Sequence, residues 1–130
     1  MISRRQMIAA ASFAVALVAA PAFAGMRTNY TAAGLEAAQK AGKSILVEVH
    51  APWCPTCKSQ APILAKLEAE PRFANLAIFR VDYDTQKDAL RALNVQKQST
   101  LIVFKGATEK GRSTGATDPL SIEELLEKSL

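Results

Sequence analysis

The sequence predicts an α/β domain, a three-layer sandwich in which a mixed central β-sheet is flanked by helices. Three observations predict it. Short apolar, β-branched runs alternate with amphipathic helical segments, which is the pattern of a sheet packed between helices. The last two strands are joined by a short Gly-containing turn rather than by a helix, so that pair is antiparallel and the sheet is mixed. The 130-residue chain, 49% hydrophobic and 22% charged, has the length and composition of one globular domain, which excludes disorder as a description of the whole.

The elements follow in order. Thr31 caps a short helix with Leu35, Ala38 and Ala41 on one face, and Gly42 stands where a left-handed C-terminal residue belongs. Ser44 to Val49 is nearly continuous apolar sequence, as expected of a strand buried on both faces. Cys54 to Glu70 repeats its apolar residues at helical spacing through Ile63, Leu64 and Leu67, with Pro62 set to kink it. Leu76 to Val81 reads as a strand, Thr85 to Leu93 as a helix and Thr100 to Phe104 as a third strand. Gly106 and Gly111 bracket a hairpin into a fourth strand ending near Gly115. Asp118-Pro119 is a cap and first-turn pair for a last helix that turns Ile122, Leu125 and Leu126 inward, and Ser121 with Glu124 offers a competing capping box. The predicted order is α-β-α-β-α-β-β-α.

A separate segment precedes this domain. Arg4 and Arg5 are followed by an uncharged stretch from Met7 to Ala20 and by Ala22-Phe23-Ala24, the layout of a signal peptide cleaved after Ala24. At 14 residues the stretch is short against the ~20 that span a bilayer. Ser3-Arg4-Arg5-Gln6-Met7-Ile8 resembles a twin-arginine signal, although the match is incomplete and Sec export stays open. Residues 25–130 then form the working domain, placed by this reading in an oxidising periplasm. The net charge of +4 owes half its value to Arg4 and Arg5, and no block of Lys and Arg remains, so no nucleic-acid footprint is present.

Both cysteines lie in Trp53-Cys54-Pro55-Thr56-Cys57, directly after a buried strand and at a helix start. Unpaired N–H groups and the helix dipole favour an anion there, so Cys54 is expected to ionise below the ~8.5 of a free thiol and to act as nucleophile. Cys57, one turn on and less open to solvent, is the expected resolving thiol. Two other readings compete. A structural bridge closing so small a loop would contribute only about 2 kcal/mol, against ~3 for a fifteen-residue loop. A copper or zinc module would use the two thiolates, but His50 is the only histidine and no second cysteine pair exists.

The run Ser44-Ile45-Leu46-Val47-Glu48-Val49-His50-Ala51-Pro52-Trp53-Cys54, the helix proline Pro62, Val81-Asp82-Tyr83-Asp84 and Thr100-Leu101-Ile102-Val103-Phe104-Lys105-Gly106 together resemble the thioredoxin superfamily. The likeness extends from about Thr31 to Leu130. It implies a thioredoxin-like fold and thiol–disulfide exchange at Cys54 and Cys57, with no cofactor and no resident metal. It places Glu48 as a buried acid behind Cys57, where desolvation would raise its pKa and let it pass a proton. It also implies that Trp53, Pro55, Thr56, Gln98, Ser99 and Thr100 meet the substrate. Trp53 would shield the site, Lys58 is read as a solvated helix residue, and His50 as a packed residue at the strand end.

One departure stands out. The family's cis-proline is replaced by Ser99, whose peptide bond is either a strained cis or a trans that reshapes the loop. Its hydroxyl or N–H would be free to reach a Cys54 thiolate. Pro55-Thr56 also resembles the pair between the cysteines of periplasmic reductases of cytochrome c maturation, which points to reduction of protein disulfides with electrons from a transmembrane thiol reductase. Oxidase or isomerase activity is the alternative direction, and the large helical insert of dedicated periplasmic oxidases is missing. The expected state is a monomer.

Overall fold

The computed structural model describes residues 14–16 and 27–130. Apart from residues 14–16, the expected signal peptide and its cleavage site lie outside the described residues. From Arg27 the elements are β1 (Arg27–Asn29), α1 (Ala32–Lys40), β2 (Ser44–His50), α2 (Pro55–Glu68), a 3-10 turn (Pro71–Phe73), β3 (Ala77–Asp82), α3 (Lys87–Ala92), β4 (Thr100–Lys105), β5 (Thr108–Thr114) and α4 (Pro119–Glu127). The strands form one sheet in the order β1-β3-β2-β4-β5. β1 and β2 run parallel to β3, while β4 runs antiparallel to both β2 and β5. This is the mixed sheet the sequence predicts.

The period-2 alternation of β2 divides the core in two. Ile45, Val47 and Val49 join Leu35, Ala38, Ala89 and Leu90 beneath α1 and α3. Leu46 faces the other way and joins Leu64, Leu67, Ile122 and Leu126 beneath α2 and α4. Helices therefore cover both faces, and the central strand carries an unbroken apolar run because neither side meets water. Glu48 shares the parity of Leu46 and is buried on the α2 side, which excludes an outward-facing position for it.

Three elements differ from expectation. β1 is an additional three-residue edge strand, too short and polar to carry an apolar period. Helix α3 begins at Lys87, not Thr85, because the Asp82 carboxylate accepts the N–H groups of Asp84 and Thr85 and holds those residues in a turn. Only Gly106 belongs to the hairpin turn, with φ of 57°. Gly111 sits inside β5 opposite Val103, where a Cβ would come within 3.0 Å of Leu125 Cδ1, so its smallness lets α4 approach the sheet. At α4 itself Asp118 wins over Ser121 as cap, its carboxylate accepting the Ser121 N–H at 2.9 Å.

No helix among the described residues is long and apolar enough to cross a membrane.

Candidate active site

Strand β2 ends at His50, and a tight turn in which the Cys54 N–H donates to the Ala51 carbonyl at 3.1 Å delivers the chain to α2. Cys54 is the N-cap of that helix and Pro55 its first residue, where a proline sacrifices no hydrogen bond. The Cys54 sulfur takes the place of a capping oxygen: the Cys57 N–H donates to it at 3.1 Å. The cysteines are free thiols in contact across one helical turn.

Both sulfurs are buried, Cys54 at 0% and Cys57 at 3% exposure. Solvent access therefore does not distinguish them as expected. Their hydrogen bonds do. Cys57 Sγ lies 3.9 Å from the Val49 carbonyl, and burial, followed by its hydrogen bond to Cys54, pushes its thiol up to about 11. Cys57 is thus held protonated at neutral pH.

Beside the pair in the chain, Pro52, Trp53 and Pro55 are exposed. Trp53 is 54% exposed. Its indole N–H donates to both Asp84 carboxylate oxygens at 3.1 and 3.0 Å, and its ring meets Tyr83 edge to face at 6.2 Å. Asp84 and Tyr83 were not distinguishable as site residues from the chain alone, because only the fold brings the end of β3 beside Trp53. Thr56 and Gln98 are half-buried at the margin and Lys58 is exposed.

The geometry bears on three of the expected roles. The Gln98-Ser99 bond is trans, and Ser99 adopts a left-handed conformation with φ of 60°. Its N–H is already given to the Val49 carbonyl at 2.9 Å and its hydroxyl to the Gln98 carbonyl, so neither serves Cys54. Thr100 is buried and its hydroxyl is engaged by the Lys97 carbonyl and Thr114. Glu48 is buried but not alone: its two oxygens pair with Arg27 Nε at 2.8 Å and an Arg80 amino group at 3.3 Å. The buried acid expected behind Cys57 lies between two guanidiniums, and Arg27 reaches on to Glu68.

His50 is half-buried at the end of β2, and burial, then the Arg80 charge, holds its imidazole below the usual histidine range. Among the described residues, no group of three or more His, Cys, Asp or Glu side chains gathers into a metal-ligand set. Gln60 escaped sequence reading. It stands in the inward stripe of α2 with Cys57, Leu64 and Leu67, a polar residue where the period calls for an apolar one, and that mismatch was the available signal.

Comparison with known proteins decides the family. The thioredoxin family model matches residues 28–128. The chain belongs to the thioredoxin family. A thioredoxin of Echinococcus granulosus is 38% identical over 94 residues, covering 72% of this chain and 84% of the relative. A thioredoxin of Chlamydia trachomatis is 34% identical over 84 residues, covering 65% and 80%. Among solved structures, Trxlp from Edwardsiella tarda is 40% identical with a TM-score of 0.75, covering 78% of this chain and 98% of that one. A thioredoxin from Malassezia sympodialis, 19% identical, shares the fold with a TM-score of 0.70 over 80% of this chain and 93% of its own. As a thioredoxin-family member with a redox-active C-x-x-C at Cys54 and Cys57, the chain is a thiol–disulfide oxidoreductase.

Proposed function

We propose that this protein works in the periplasm as a reductase of protein disulfides, with Cys54 as attacking sulfur and Cys57 as resolving sulfur. The Cys54 thiolate attacks a substrate disulfide, forms a mixed disulfide and releases one substrate thiolate. Cys57 then gives up its proton and attacks the Cys54 sulfur, the second substrate thiolate leaves, and the two enzyme sulfurs remain joined. Two electrons have passed to the substrate, whose sulfurs take up protons.

The observation that carries the direction is the state of Cys57. Reducing the enzyme's own disulfide by attack on Cys54 must expel Cys57 as leaving group, and a thiol raised to about 11 leaves poorly. For the potential, a Cys57 that stays protonated at neutral pH gives the dithiol no thiolate stabilisation of the kind that makes an oxidant, which supports a reducing couple. In an oxidising compartment it needs a continuous source of electrons, which a transmembrane thiol reductase supplies. The Arg4-Arg5 leader with its apolar stretch supports export.

Equilibrating the Cys54/Cys57 couple of the purified protein with glutathione tests the direction. A potential of about −270 mV supports the reductase, whereas one of about −120 mV is that of an oxidant and overturns it. One tightly bound copper or zinc ion per monomer or dimer, without disulfide reduction, would identify a metal module instead. Fractionation of cells expressing the full chain tests location, the expected product being a periplasmic form that begins at Gly25.

A further inference from the structure

Gln60 is 1% exposed and lies one helical turn after Cys57 on the same buried stripe of α2. Its amide nitrogen donates twice, to the Ser99 carbonyl at 3.2 Å and to the Ala116 carbonyl at 2.8 Å. A single side chain thus ties α2 to the loop before β4 and to the segment after β5. A buried amide is costly to place without partners, so one that finds two backbone acceptors is an organised feature of the site.

The residue it grips is strained. A left-handed conformation is unfavourable for a residue with a Cβ, and the backbone groups of Ser99 hold it through three hydrogen bonds. Its carbonyl accepts from Gln60 and from the Gly115 N–H at 3.0 Å, and its N–H donates to the Val49 carbonyl at 2.9 Å. That Val49 carbonyl also faces the Cys57 sulfur at 3.9 Å. An unbroken set of contacts therefore runs from Gln60 through Ser99 and Val49 to the resolving thiol.

We propose that Gln60 is a positioning residue for thiol–disulfide exchange: by clamping Ser99 in its left-handed state it fixes the carbonyl and N–H groups around Cys57 and so sets the rate at which Cys57 resolves the mixed disulfide. With the clamp in place the Ser99 N–H occupies the Val49 carbonyl and competes with the Cys57 S–H for it. Released, the loop leaves that carbonyl free to hold the thiol proton more tightly. The backbone of Ser99 also acts on Cys57 directly, opposing the upward push of burial. In the affected step Cys57 loses its proton to solvent, a Cys57–Cys54 bond forms, the bond from Cys54 to the substrate sulfur breaks, and the departing thiolate is reprotonated. The inference holds for either direction of net electron flow, since both pass through the same mixed disulfide.

The test follows release of glutathione from a Cys54–glutathione mixed disulfide formed on the full-length protein, with alkylation of Cys54 by iodoacetamide measured in parallel. Gln60→Met keeps the volume and removes the donor, and release is expected to slow about fivefold, the worth of one net hydrogen bond, with its pH profile displaced upward. Cys54 alkylation should be unchanged. Glycine adopts the left-handed conformation without a clamp, so Ser99→Gly in the Gln60→Met background should restore most of the rate. Gln60→Asn, which keeps the amide but withdraws it by one methylene, should slow release as Met does and serves if Gln60→Met fails to fold. Release at the wild-type rate with an unmoved pH profile overturns the proposal, as does slowing that Ser99→Gly leaves in place.

Discussion

The backbone N–H of Cys57 points at the sulfur of Cys54, 3.1 Å away, so the first cysteine caps the helix that carries the second. This single contact follows from setting two cysteines three apart at a helix start, with the first as N-cap. It gives the two thiols different environments although both are buried, and the difference has measurable consequences.

The stability of the reduced protein should fall in alkaline solution. Cys57 is raised from an ordinary thiol value near 9 to about 11, so the folded state favours the protonated thiol. That contribution is fully present below pH 9 and is lost as pH rises toward 11, on the order of 2 kcal/mol. Denaturant unfolding at a series of pH values should show the decline in the dithiol form and not in the disulfide form, which has no thiol to titrate. Equal slopes for both forms would remove Cys57 as the cause.

Glu48→Gln separates an ion-pair role from a proton-transfer role. Because the carboxylate is paired with Arg27 and Arg80, which are partly exposed, the loss should destabilise the fold by about 2 kcal/mol, less than the 3–5 of a fully buried broken pair. The pH–rate profile of disulfide reduction should keep its shape. A displaced profile with intact stability would restore the acid as a proton acceptor for Cys57.

Ser99→Pro should be strongly destabilising. Proline cannot reach φ of 60°, and it lacks the N–H that Ser99 gives to Val49, so a loss of ~3 kcal/mol or more is expected in thermal or denaturant unfolding. A variant of undiminished stability would mean that this loop readily takes another conformation.

Asp84→Ala frees the Trp53 indole from its two hydrogen bonds. The exposed Trp53 beside Cys54 should then be less ordered, raising KM for a protein disulfide by about threefold, in line with a modest hydrogen-bond loss, while a small disulfide such as oxidised glutathione is reduced as before. An equal effect on both substrates would place Asp84 in the chemistry, not in protein contact.

Much of this was legible in the chain. The apolar run of β2, the cysteine pair at a helix start and Asp118-Pro119 at α4 are local patterns with local causes, and each appears where its residues place it. What escaped depended on partners distant in sequence. β1 is a three-residue edge organised by pairing with β3, 51 residues away in the register Thr28–Phe79. Arg27, Glu48 and Arg80 become a charge network only when β1, β2 and β3 lie side by side. The left-handed Ser99 depends on Gln60 from α2 and Gly115 from the end of the hairpin. Local signals identify the reacting atoms, whereas the settings that tune them are products of the fold.

The most direct measurement is to replace Cys57 by serine, let the protein react with a peptide disulfide, and locate the trapped adduct by mass spectrometry of its proteolytic fragments. The account predicts a stable mixed disulfide on Cys54 and none when Cys54 is instead the residue replaced. An adduct formed efficiently on Cys57 in the Cys54→Ser protein, or no adduct on Cys54, would contradict it.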